Sequence, residues 1–152
     1  MVVRSSILLL NGPNLDMLGV REPSIYGTIT LKELEVMCME RAAFLGLTME
    51  FYQSNSETVL IETLHKARNT HDGIIINAGA LSHTSIALLD ALLITELPII
   101  EVHLSNIFKR ESFRHHSYIS SVAVGLICGF GAQTYRLALD AMALILKQKN
   151  TD

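Results

Sequence analysis

The chain has 152 residues, of which 49% are hydrophobic and 18% are charged, and its formal net charge at neutral pH is −3. This length suits a single core, so we predict that residues 1–152 form one domain. The charged fraction lies below the roughly 25% of ordinary domains, which favours burial of surface between copies of the chain. The negative charge, with no cluster of Lys or Arg larger than a pair, argues against a nucleic-acid partner.

The cysteines and the apolar runs bear on the compartment. Cys38 and Cys128 lie far apart and form no CxxC pattern, which is typical of free thiols in a reducing compartment. The apolar run at residues 7–10 is too short for the core of a signal peptide or for a membrane span. The sequence therefore predicts a cytoplasmic protein without a membrane partner.

Strand-like apolar runs alternate with helical patterns along the chain. Thr30 and Glu33 form a capping box at the start of the first long helix, and Gly46 ends it. Residues 54–56 open the second long helix. The predicted strands are residues 7–10, 48–53, 73–77, 99–103 and 122–128, and the later helices run from about 83 to 95 and from 132 to about 149.

This alternation predicts the fold class. Strands separated by helices at this spacing form parallel βαβ units. The predicted class is α/β, a flavodoxin-like three-layer sandwich whose five-stranded parallel sheet has the order 2-1-3-4-5. The closing helix is apolar nearly all round between Leu137 and Leu146, which favours a doubly buried or interfacial position.

The connection after the first strand is unusually long. About 18 residues separate that strand from Thr30, whereas a βα loop usually has roughly two to six. The segment carries Arg21 and Tyr26 between Gly19 and Gly27. Functional groups between two glycines favour a mobile lid at about residues 14–28. A passive surface loop is the alternative.

Polar residues follow three of the predicted strands. The carboxyl ends of parallel strands lie on one edge of the sheet, where ligands bind. The residues at this edge are Asn11 and Asn14 after the first strand, Asn77 after the third, and His103, Ser105 and Asn106 after the fourth. Arg110 and Arg114 follow, and the combination can move a proton and hold a carboxylate. The alternative is an ordinary strand end followed by a turn and a solvated basic helix start.

Cofactor and metal motifs are weak in this sequence. His83 and Asp90 are seven residues apart on the predicted third helix, about 10 Å along one face, which is too far to hold one atom. Either one of them serves a neighbouring subunit, or Asp90 only stabilises the surface. His83, Asp90 and His103 lack the spacing of metal ligands, and neither a Walker A motif nor a GxSxG elbow occurs. We predict no metal and no cofactor.

Five runs of the sequence carry a family resemblance: NGPNLDMLGVREPSIYG, QSNSE, NAGALSHTSIALLDAL, EVHLSNIFKRESFRHHS and GFGAQTY. Together they span essentially the whole chain and closely resemble type II 3-dehydroquinate dehydratase. The resemblance implies the flavodoxin-like fold, no metal or cofactor, and a homododecamer of four trimers. It also implies that the substrate is 3-dehydroquinate and the product 3-dehydroshikimate, in shikimate or quinate metabolism.

The resemblance also implies roles for individual residues. Tyr26 would remove a proton from the carbon next to the ketone, Arg21 would stabilise the transition state, and His103 would be the general acid. Asn14 would hold the water or the enolate oxygen, and Arg110 would belong to the lid-closing set. The implied substrate-binding residues are Asn77, His83, Asp90, Leu104, Ser105 and Arg114, with the Asp90 position acting at a neighbour's site.

The implied chemistry makes physical sense for these residue types. A free phenol has a pKa of about 10 and is a poor base at neutral pH, but a nearby guanidinium favours the phenolate. We expect Arg21 to supply that charge to Tyr26, and Arg114 to hold a substrate carboxylate through its two-pronged fork. Two other classes remain open: a binding module for a nucleotide or flavin, and a purely structural oligomer.

Overall fold

The computed structural model describes residues 3–152. A five-stranded, wholly parallel sheet forms its centre, in the order β2-β1-β3-β4-β5. The strands are β1 (Ser6–Asn11), β2 (Thr48–Gln53), β3 (Gly73–Asn77), β4 (Ile99–His103) and β5 (Gly125–Cys128). The predicted strand order is therefore confirmed.

Helices cover both faces of the sheet. They are α1 (Pro23–Tyr26), α2 (Leu31–Phe44), α3 (Glu57–Thr70), α4 (Ile86–Thr95) and α5 (Gln133–Lys149). Short 3₁₀ turns lie at Leu15–Met17, Gly79–His83, Ile107–Lys109, Ser112–Arg114 and Ile119–Ser121. Among residues 3–152, no helix combines the length and the apolar composition needed to cross a membrane.

The side chains of β1 show how one strand supports two cores. Ile7 and Leu9 pack with the buried residues of α2 and α5. Leu8 and Leu10 belong to the opposite core, under α3 and α4. Successive strand side chains point to opposite faces, so a strand covered on both sides becomes a continuous apolar run. The three-layer arrangement follows directly from this pattern.

Hydroxyl side chains cap the N-termini of α2, α3 and α4. The Oγ1 atom of Thr30 accepts a hydrogen bond of 3.1 Å from the Glu33 amide, as the capping pattern predicts. Ser56 caps α3 in the same way. The predicted start of the third long helix at His83 is wrong, because Ser85 caps α4 through the Leu88 amide at 2.9 Å. His83 instead ends a separate 3₁₀ turn.

Two further expectations need correction. The fifth strand begins at Gly125 and not at Val122, because Val122 closes a 3₁₀ turn by donating its amide to the Ile119 carbonyl at 3.0 Å. The closing helix α5 is not doubly buried within one chain, since Leu137 and Leu144 are exposed while the opposite side packs in the core. The interfacial position stays a prediction.

Candidate active site

The carboxyl ends of β1, β3 and β4 surround a cavity of about 90 Å³. Ten of the predicted residues line it: Asn14, Arg21, Tyr26, Asn77, His83, His103, Leu104, Ser105, Arg110 and Arg114. Three others do not, namely Asn11, Asn106 and Asp90. A larger surface groove of about 620 Å³ runs along β2 and α3 and contains none of these residues. We place the site in the smaller cavity because the ionisable and amide groups converge there.

Tyr26 meets two guanidinium groups at this cavity. Arg110 donates a hydrogen bond from Nη1 to the phenol oxygen of Tyr26 at 2.8 Å. The guanidinium carbon of Arg21 lies 4.7 Å from the centre of the Tyr26 ring, over its face. The cation at the phenol oxygen is therefore Arg110, whereas the sequence led us to expect Arg21.

The long connection after β1 packs against the core near both of its ends, with Tyr26 and Ile29 in contact with the core near the second end. Leu15 and Leu18 are buried in the core at its beginning. Tyr26 ends the four-residue helix α1, whose first position is Pro23. Gly27 then adopts φ 81°, a left-handed conformation that favours glycine. The geometry explains how Tyr26 turns toward the cavity, while mobility of the segment stays a prediction.

His103, at the end of β4, is paired with a carboxylate. Its Nε2 atom lies 2.5 Å from Oε2 of Glu101, and both residues are buried. Nδ1 is then the ring nitrogen left for a ligand. Residues two apart on a strand share a face, so Glu101 was detectable as a lone acid in an apolar run, but the sequence reasoning missed it.

His83 lies beside His103 and is held as a neutral ring. Its Nδ1 donates to the His116 carbonyl at 2.7 Å, and its ring stacks on that of His103 with a centroid separation of 6.2 Å. Burial, with the nearby charges of His103 and Arg114, lowers the pKa of His83, although the His116 carbonyl and Glu101 oppose this. His83 can therefore hydrogen-bond a ligand through Nε2.

Arg114 is oriented by an acidic neighbour. Its Nε donates to Oε2 of Glu111 at 2.8 Å, and the same oxygen lies 3.8 Å from Nε of Arg110. Hydrogen bonds from its own backbone and from Arg114 lower the pKa of Glu111. The Glu111 carboxylate therefore lies between two guanidinium groups, that of Arg110, which contacts the Tyr26 oxygen, and that of Arg114.

The asparagines at the strand ends have different roles. Nδ2 of Asn77 donates to the Tyr135 hydroxyl at 2.8 Å, and that hydroxyl donates to Oδ1 of Asn11 at 2.6 Å. Asn11 is fully buried and lies outside the cavity, so its expected place on the rim is wrong. Asn14 does line the cavity, and its backbone amide is fixed by Oδ1 of Asn55 at 2.9 Å.

Asp90 does not join this group. It is exposed on α4, and His83 lies outside that helix, so the assumption that the two share one helical face is wrong. A place for Asp90 in the site of another copy stays a prediction. Within residues 3–152, no three His, Cys, Asp or Glu side chains are arranged to hold a metal ion.

Comparisons with known proteins point to one family. A sequence model of the family described as "Dehydroquinase class II" matches residues 5–143. The chain is 58% identical over 136 residues to 3-dehydroquinate dehydratase of Dinoroseobacter shibae, covering 90% of this chain and 91% of the relative. It is 54% identical over 143 residues to the protein of that name from Gloeothece citriformis, covering 94% of each. The crystal structure of type II dehydroquinase from Propionibacterium acnes matches with a TM-score of 0.90 at 44% identity, covering 95% of this chain and 99% of that one.

Proposed function

The chain belongs to the class II dehydroquinase family, and we propose that it dehydrates 3-dehydroquinate through an enolate, with Tyr26 as base and His103 as acid. Its reaction is that of a 3-dehydroquinate dehydratase, a hydro-lyase. The observation that carries the mechanism is the hydrogen bond from Arg110 to the Tyr26 oxygen, at the wall of the cavity that also contains His103.

In the first step, the phenolate of Tyr26 removes a proton from the carbon next to the ketone. The permanent charge of Arg110 favours the phenolate through its hydrogen bond, and Arg21 adds a second charge over the ring. The electron pair of the broken C–H bond moves toward the ketone oxygen and forms an enolate. Asn14 lines the cavity, where its amide group or a bound water stabilises that oxygen.

In the second step, the enolate expels the hydroxyl group and His103 protonates it as it leaves. Glu101 holds Nε2 of His103, so the transferred proton comes from Nδ1. Water and the enone product result, with Tyr26 protonated and His103 neutral. A proton passing from the phenol to the imidazole, directly or through water, restores the starting state.

The opposite side of the cavity binds the rest of the substrate. Arg114 matches a carboxylate because its planar guanidinium can donate two parallel hydrogen bonds. His83 and Asn77 lie beside it and present a ring nitrogen and an amide to the substrate hydroxyl groups. Leu104 and Ser105 complete the wall after β4, and we assign part of their contact to backbone amides.

The assembly is part of the same proposal. Ile86, Leu93 and Ile94 are exposed apolar residues of α4, the helix that carries Asp90. Covering them with another copy would remove apolar surface from water and bring Asp90 toward a neighbour's site. The exposed face of α4 supports assembly but does not set the number of copies. The family resemblance implies a homododecamer of four trimers and a role in shikimate or quinate metabolism, and we adopt both, with the cytoplasm as the compartment, as parts of the proposal.

The activity has a direct test. Purified protein mixed with 3-dehydroquinate should produce an ultraviolet-absorbing enone at a rate proportional to the protein concentration. Protein without flavin absorbance is expected. A yellow protein that leaves 3-dehydroquinate unchanged would contradict the enzyme and favour a flavin-binding module.

A further inference from the structure

We propose that Ser117 and Ser120 are positioning residues that keep Glu101 ionised in the protein interior, where its carboxylate holds Nε2 of His103 and so orients that ring as a proton donor. This inference rests on the proposed function of His103. It concerns two hydroxyl groups that lie outside the cavity and touch no reacting atom.

Both hydroxyl groups are aimed at the Glu101 carboxylate. Oγ of Ser120 donates to Oε1 at 2.5 Å, and Oγ of Ser117 donates to Oε2 at 2.8 Å. Oε2 also accepts the hydrogen bond from Nε2 of His103 at 2.5 Å. The carboxylate therefore has a partner on each oxygen, and two of its three donors come from the segment after Arg114.

The surroundings of Glu101 explain why such donors are needed. The residue is fully buried in β4. Its neighbours in the sheet are Ile76 on β3 and Leu126 on β5, both apolar. A carboxylate removed from water in such surroundings tends to take up a proton unless hydrogen bonds replace the lost hydration.

In the folded protein, the donors outweigh burial. Burial raises the pKa of Glu101, but the hydrogen bonds from His103, Ser120 and Ser117, with the charge of His103, together lower it. The other titratable or charged groups at this pair are His83, stacked on His103, and Arg114. Of these groups, Glu101 is the one that is hydrogen-bonded to His103.

Loss of the hydroxyl groups should therefore change the protonation of Glu101. In Ser120→Ala, and more so in Ser117→Ala/Ser120→Ala, the carboxylate loses donors, and its protonation should move to higher pH. A hydrogen bond to a charged group predicts a shift of about one pH unit for each donor lost. The acidic limb of the turnover number should move to higher pH by a similar amount, with little change at neutral pH, where Glu101 of Ser120→Ala stays ionised. KM should change less than about twofold, since no residue at the substrate is altered.

The measurement is an infrared pH titration of the intact protein. The stretching band of a buried protonated carboxyl group should appear at higher pH in the variants than in the parent, and it should be missing in the Glu101→Gln background. Ser120→Thr should restore the parent titration because it keeps the hydroxyl. Ser121→Ala is the matched control, since Ser121 lies in the same segment and donates to the Tyr118 carbonyl at 2.8 Å.

Oγ of Ser117 also accepts hydrogen bonds from the backbone amides of Ile119 and Ser120, so Ser117→Ala can disturb the 3₁₀ turn at Ile119–Ser121. Ser120→Ala is therefore the decisive variant. An unchanged carboxyl titration in folded Ser120→Ala would overturn the inference even if the enzyme dehydrates 3-dehydroquinate normally. A parent protein without dehydratase activity would instead overturn the proposed function, while the infrared titration would still report on the serines.

Discussion

Arg110 and Tyr26 are separated by 84 positions in the sequence, yet Nη1 of Arg110 donates a 2.8 Å hydrogen bond to the Tyr26 oxygen. The contact joins the long connection after β1, which carries Tyr26, to the 3₁₀ turn that follows β4, at whose end Arg110 lies. It places a permanent positive charge at the atom that we propose as the base. The same guanidinium lies near Glu111, which also binds Arg114.

Replacing Tyr26 with phenylalanine tests the base. The ring and its contact with Arg21 remain, but the oxygen that accepts the proton is lost. The turnover number should fall by about 10²-fold or more, as for the loss of a general base, while KM changes little. Steady-state rates of enone formation measure this. Tyr52→Phe is the control, because Tyr52 lies on β2 and does not line the cavity. If Tyr26→Phe retains near-parent turnover, Tyr26 is not the base.

Comparing Arg110→Gln with Arg21→Ala separates the two cations. Arg110 contacts the phenol oxygen, so Arg110→Gln should reduce turnover by about 10²-fold. Arg21→Ala should also lower turnover more than substrate affinity, but with a smaller loss, because Arg21 lies over the ring face. Arg136→Ala, on the exposed side of α2 and α5, is the control. A larger loss of turnover in Arg21→Ala would return the main role to that residue.

Much of the fold could be predicted because its signals are local. The apolar run of β1 and the hydroxyl of Thr30 each report on a few adjacent residues. The start of β5 could not be predicted, because Val122 and Ala123 are apolar like strand residues but donate their amides to the Ile119 carbonyl and not to a neighbouring strand. Which guanidinium reaches Tyr26 also depends on packing between distant segments, and spacing in the chain carries no information about it.

The roles of two buried polar residues, Glu101 and Asn11, were harder to recognise from the sequence. Glu101 looks like a misplaced charge in an apolar strand until His103 and the serines are seen around it. Asn11 is the opposite case. A polar residue at a strand end suggests contact with a ligand, but Asn11 accepts a hydrogen bond from the buried hydroxyl of Tyr135. Residue type alone does not separate these cases, because both are decided by the partner that the fold supplies.

Tyr135→Phe tests the buried chain that holds Asn77. Burial raises the pKa of Tyr135, so its hydroxyl stays protonated and bridges Asn11 and Asn77. Its removal leaves two buried amide groups short of a partner, which should lower the free energy of unfolding by about 1–3 kcal/mol. KM should rise as well, because Asn77 loses its orientation toward the cavity. Urea denaturation measures the free energy of unfolding and steady-state kinetics measure KM, with Tyr52→Phe as the control. An unchanged free energy of unfolding in Tyr135→Phe would mean that water replaces the hydroxyl.

Gly12→Ala tests the close approach of the segment after β1 to the segment after β3, next to the cavity residues Asn14 and Asn77. A Cβ atom at position 12 would lie 2.6 Å from the Ala78 carbonyl oxygen. The backbone amide of Gly12 donates to the Asn77 carbonyl at 2.8 Å. Backbone atoms cannot rotate away as a side chain does, so the two segments must separate. The free energy of unfolding should fall by about 1–3 kcal/mol, and turnover should fall with it because Asn14 and Asn77 move apart. Gly125→Ala is the matched control, since a Cβ there has no heavy atom within 4 Å. Equal stability of the two variants in urea denaturation would show that this part of the cavity adapts and that its residues are not held at fixed separation.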